Sequence, residues 1–211
     1  MKNAKKIVAL LLCAILMIGA SVAGTLAFLT SKATVTNSFT VGKVVLGEDG
    51  KAGLDEAKVD EYGVADSSAA RVTENTYKLI PGHTYTKDPT VHVGANSEAC
   101  WLFVKVENGI ADIEAATTTG EGAYTKIAEQ VVANGWTLVD GETNIYYKEA
   151  AKTGDTGANY AVFGNFRLAT NADVSNYASA KITVTAYAIQ KDGLNATEAW
   201  TALQEAYPEN T

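Results

Sequence analysis

Histidine and cysteine, the side chains a zinc site or a thiol nucleophile draws on, are few in this 211-residue chain: His83, His92, Cys13 and Cys100. A zinc protease of the H-E-x-x-H type needs two histidines one helical turn apart around a general base. Here Thr84-Tyr85 follow the first histidine and Val93-Gly94 the second, so that motif is absent and both read as ordinary strand or surface residues. Cys100 opens the run CWLFVKVEN, on one face with Leu102, Val104 and Val106, which makes it a buried, inert thiol rather than a nucleophile. The carboxylate pairs Glu48-Asp49 and Asp55-Glu56 lack the spacing of a calcium loop and read as solvated charge. G-x-S-x-G, Walker A and G-x-G-x-x-G patterns are missing as well. No enzyme, metal or cofactor is expected. Trp101, Trp136 and Trp200 are candidate sugar platforms, although single tryptophans more often belong to cores.

The elements that hold these residues begin with a leader. Lys2, Lys5 and Lys6 precede an uncharged run from Ile7 to Leu29, the plan of a secretory signal helix. The run is also long enough to cross a bilayer, but its second half is small and weakly apolar, and no basic stop-transfer cluster follows. Two cleavage sites compete, Ser21-Val22-Ala23 before Gly24 and Thr25-Leu26-Ala27 before Phe28; the cut between Ala27 and Phe28 is preferred. Cys13 leaves with the signal, so Cys100 is then the one cysteine of the mature chain and no intramolecular disulfide is expected. The formal charge of −7 falls to about −10 without the three leader lysines, which disfavours nucleic acid and anionic membrane as partners. Membrane contact is expected through the signal peptide alone, before cleavage.

Period-two alternation recurs along the rest. Ala33, Val35, Asn37, Phe39 and Val41 share one face of an extended segment, with Thr34, Thr36, Ser38 and Thr40 on the other, and Gly42 ends the pattern. Residues 47–68 read as a mobile surface loop with at most one short helix. Pro81-Gly82 marks a turn, Pro89 belongs at a strand start or edge, and CWLFVKVEN is the central strand. Helical spacing over 123–134 stops at Gly135, and a hairpin is expected at Asp140-Gly141. YAVFGNFRL and KITVTAYAIQ are two further strands, and Asn195 with Glu198 forms a capping box ahead of a closing amphipathic helix. The fold class expected is mainly β: a jelly-roll-like β-sandwich with one or two short helices behind an N-terminal signal helix. The chain divides into a signal peptide 1–27, an extended strand 28–42 and a sandwich domain 43–211.

The segment GTLAFLTSKATVTNSFTVGKV resembles the processing region of the TasA and camelysin family of exported matrix proteins. The resemblance rests on Ala27, Phe28 and Thr30 and above all on Asn37-Ser38-Phe39-Thr40-Val41-Gly42. It continues through Pro81-Gly82, Lys87, Pro89, Gly94, the run from Trp101 to Asn108, and Ala186-Tyr187-Ala188-Ile189-Gln190. Leu29, Ser31 and His92 depart from the commoner family residues. The resemblance implies a secreted structural subunit of biofilm fibres, in the extracellular matrix or on the cell surface of a Gram-positive-type bacterium, processed by a dedicated signal peptidase. It also implies self-association, with residues 28–42 of one subunit completing the sheet of the next and an accessory protein anchoring the fibre. A strand with its own apolar face that opens a mature chain suits such donation on physical grounds, since backbone pairing supplies affinity and alternate side chains supply register. Two alternatives stand beside this reading: a monomeric secreted binding sandwich that keeps the strand for itself, and a camelysin-type metalloprotease, against which the missing zinc motif counts.

Overall fold

A computed structural model describes residues 43–47, 53–118 and 124–208. They lie within one compact unit, Gly42–Thr211. The signal helix, Ala27, Phe28 and the segment 28–42 fall outside the described residues.

The described chain is mainly β, with several antiparallel sheets and two short helices. The strands are β1 Leu54–Asp55, β2 Thr84–Thr86, β3 Thr90–Val93, β4 Cys100–Asn108, β5 Thr137–Leu138, β6 Ile145–Ala150, β7 Ala158–Ala161, β8 Asn165–Arg167 and β9 Ile182–Gln190. The helices are α1 Ile127–Ala133, between β4 and β5, and α2 Ala196–Ala206, after β9. Strand order is β1-β3-β7 in one sheet, β2-β8 in a second and β5-β6-β4-β9 in the third.

β4 is the central strand that its composition predicts, and it is apolar on both faces because both are covered. Cys100, Leu102, Val104 and Val106 face a core shared with Tyr85, Val91, Val93, Phe163 and Phe166. Phe103, with Trp101 beside it, faces a second core closed by Ala199, Trp200 and Leu203 of α2. The capping box starts that helix: Glu198 N–H donates to Asn195 Oδ1 at 3.0 Å, and Asn195 N–H to Glu198 Oε2 at 2.9 Å. Gly82 and Gly141 take the positive φ of 76° and 82° that their turns require, and Pro89 sits immediately before β3.

Three expectations are corrected. YAVFGNFRL is two strands in two sheets, β7 against β3 and β8 against β2. Val162, Phe163 and Gly164 lie between β7 and β8, and Val162 and Phe163 are buried in the shared core where the chain passes from one sheet to the other. The first helix is shorter than 123–134; its start is set by Glu114, a buried carboxylate that accepts from Ile127 N–H at 2.8 Å and from the Tyr124 hydroxyl at 2.6 Å. The described part of 47–68 contains β1 and paired bridges instead of a helix, with Glu56 and Val72 exchanging both backbone hydrogen bonds at 2.8 Å.

Candidate assembly groove

Register decides which way the backbone of β9 points. β4 and β9 pair without interruption from Cys100↔Gln190 to Asn108↔Ile182. Just beyond the two ends, Gly109 N–H donates to Lys181 C=O and Lys191 N–H to Ala99 C=O, each at 2.9 Å. Hydrogen-bonded pairs recur every second residue in an antiparallel ladder, so odd-numbered residues of β9 aim their amides and carbonyls at β4. The even-numbered residues Ile182, Val184, Ala186, Ala188 and Gln190 aim theirs away. Among the described residues no strand pairs with that outer edge. Four of these five residues turn their side chains to the shared core.

Beside this edge runs a groove of about 750 Å³. One wall is Ile182 to Val184 with the preceding loop from Tyr177, and the other is Leu54 to Glu56 of the first sheet. Tyr77, Leu79 and Val174 add apolar surface, and Leu54, Leu79, Ile182 and Val184 remain only partly buried against the core beneath. The groove is thus an opening in the core between two sheets, flanked by a strand edge whose outward backbone groups pair with no strand among the described residues. Residues 43–47 enter the fold near the other end of β9: Glu98 N–H donates to Lys43 C=O at 2.9 Å, next to Ala99, which pairs with Lys191.

The groove also has polar members. Glu56 is 4% exposed and forms an ion pair with Lys87 at 2.5 Å, so it is not solvated loop charge. Asp55, likewise, bridges Arg71 and His92. The Arg71 guanidinium also reaches Asp88 Oδ2 at 2.9 Å and Thr90 Oγ1 at 3.1 Å. Desolvation lowers the Arg71 pKa, and the two carboxylates more than offset it, raising the value overall.

His92 is held between Asp55 Oδ1 at 2.8 Å and Asn159 Oδ1 at 2.7 Å, and His83 Nε2 lies 2.9 Å from the Tyr62 carbonyl. Cys100 is fully buried, and burial pushes its thiol up to about 11, so it carries no thiolate at neutral pH. Among the described residues no group of three or more His, Cys, Asp or Glu is placed to hold a metal ion. Trp136 and Trp200 are buried in the two cores, and the half-buried Trp101 donates from its indole to Leu194 C=O at 2.9 Å. The assembly residues expected from the sequence, Ala33, Val35, Asn37, Phe39, Val41 and Gly42, lie outside the described residues. Sequence reasoning missed the groove, whose one sequence-level signal is the pair of small residues Ala186 and Ala188 on the core face of an otherwise β-branched and aromatic strand.

Comparison of the chain with protein-family models, curated proteins and solved structures gave no match.

Proposed function

We propose that this chain is a secreted structural subunit of extracellular matrix fibres, a jelly-roll sandwich of the TasA and camelysin kind that polymerises by exchanging its N-terminal strand. Signal peptidase removes residues 1–27, and the freed segment 28–42 enters the groove of the next subunit. An accessory protein anchors the fibre at the cell surface. The observation that supports this reading is the outer edge of β9: five residues with outward backbone groups, beside a groove that opens onto the core. A strand seated there gains a ladder of hydrogen bonds that no other described strand makes to β9 and buries its alternate apolar side chains on the same core. Phe39, the largest apolar residue of the Ala33, Val35, Phe39 and Val41 face, is its natural anchor.

Deletion of residues 28–42 tests the proposal. The shortened protein is expected to remain folded and monomeric by circular dichroism and sedimentation, to form no fibres in negative stain, and to bind a synthetic peptide of residues 28–42. A folded deletion protein that ignores the peptide, together with full-length mature protein that stays monomeric at high concentration, leaves the secreted monomer as the correct reading.

A further inference from the structure

Three side chains at the polar end of the groove are arranged as the parts of an amide exchange. Lys87 Nζ lies 2.5 Å from Glu56 Oε2, with the two side chains 11% and 5% exposed. The other carboxylate oxygen, Oε1, accepts from Asn75 Nδ2 at 2.9 Å. Two backbone groups fix the orientation of the Asn75 amide: Val59 N–H donates to Oδ1 at 3.0 Å, and Ala57 C=O accepts from Nδ2 at 2.8 Å. Exchanging the amide oxygen and nitrogen would break both contacts. One buried carboxylate therefore bridges a primary amine and the nitrogen of a carboxamide, while an N–H rests on that carboxamide's oxygen. Tyr77 lies close by, its phenol raised by burial and then by the Glu56 and Asp88 charges. Its ring packs edge-on against Tyr85 and Phe166.

We propose that Lys87 and Asn75 join in an intramolecular isopeptide bond, with Glu56 as the proton carrier. A proton moves from Lys87 Nζ to Glu56 Oε2 along the existing hydrogen bond, leaving a neutral amine and a neutral acid. The Nζ lone pair attacks Asn75 Cγ, and the negative charge that develops falls on Oδ1, where the Val59 N–H already points. Glu56 gives its proton to Nδ2 and takes one from Nζ. The Cγ–Nδ2 bond breaks, ammonia leaves, and the Nζ–Cγ amide remains. Amine and carboxamide become amide and ammonia, so no oxidant, reductant or co-reactant is needed. The bond ties the 73–80 stretch to the junction of β2 and β3 and makes one wall of the groove a covalent ring. It does not depend on the groove receiving a strand.

Tryptic mapping of the mature protein, by mass spectrometry, tests this. Expected is a joined species of residues 72–78 and 79–105, lighter by one ammonia than its two parts, with the bond after Lys87 uncleaved. Lys87→Arg removes the nucleophile and should give separate peptides of ordinary mass. Glu56→Gln keeps the bulk but cannot carry the proton, and should slow linkage at least a hundredfold, in line with the contribution of a positioned acid–base group. Free 72–78 peptide from the wild-type protein, together with cleavage after Lys87 at unmodified mass, overturns the proposal whether or not either variant folds.

Discussion

A pair of proline substitutions one residue apart on β9 separates the outer edge of that strand from the fold it belongs to. Proline removes a backbone N–H and is tolerated in a sheet where that N–H faces away from the neighbouring strand. Ala186 is such a position: its amide points outward, and its side chain is small and on the core face, so Ala186→Pro deletes no packed group and no hydrogen bond to β4. Its cost is the shift of φ toward −65°, about 1 kcal/mol. Thr185 is the opposite case. Its N–H points at Lys105 in the register set by Gly109 with Lys181, so Thr185→Pro breaks the ladder at the middle of the longest sheet. Interior prolines cost about 3 kcal/mol or more. Urea denaturation should therefore show Ala186→Pro close to wild type and Thr185→Pro strongly destabilised, while fibre sedimentation and negative stain should show assembly lost in Ala186→Pro. Wild-type stability of Thr185→Pro would refute the assigned amide directions. A stable Ala186→Pro protein that still forms fibres would refute the use of this edge.

Trp200→Ala should cost about 3 to 5 kcal/mol in urea denaturation, because the ring fills the second core against Phe103 and donates to Glu142 at 3.0 Å. Gly63→Ala should lower the melting temperature: its φ is 77°, and an added methyl would meet Tyr85 at 2.8 Å. Alkali should weaken the fold, since burial raises the Cys100 thiol from 9.0 to about 11 and also raises the hydroxyls of Tyr85, Tyr146 and Tyr160. Each is neutral in the fold and ionises more readily when unfolded, so the stability present below pH 9.0 should be lost as pH rises toward about 11. The urea midpoint should fall across that window, and less steeply in Cys100→Ala.

Features encoded within a few residues were legible in advance. The two-faced alternation of β4, the Pro81-Gly82 and Asp140-Gly141 turns and the Asn195 capping box all depend on neighbours in the chain, and the structure has them where the sequence places them. What depended on distant partners was not. Glu56 looks like loop charge until Lys87, 31 residues away, folds against it. Asp55 needs Arg71, 16 residues on, before its role in holding β1 is visible. The passage from one sheet to the other at 162–164 is hidden because Val162 and Phe163 suit a strand equally well whichever sheet they join. The groove is least legible of all, since it lies where β9 and β1 come last in the strand order of the described residues, and that order is a property of the whole pairing pattern.

The anchorage of Lys43 beside Glu98 gives strand direction a diagnostic meaning. Val41 is two residues from Lys43 and can lie no more than about 7 Å from it along the chain. β9 runs nine residues, so its Ile182 end is about 27 Å from its Gln190 end. If a subunit's own residues 33–41 lie along β9, Val41 must sit at the Gln190 end, and the two strands then run in the same direction. An occupant running opposite to β9 cannot be the subunit's own and has to come from a second molecule. Antiparallel pairing is also the slightly stronger geometry per residue. An antiparallel occupant of this edge thus marks a link in a chain.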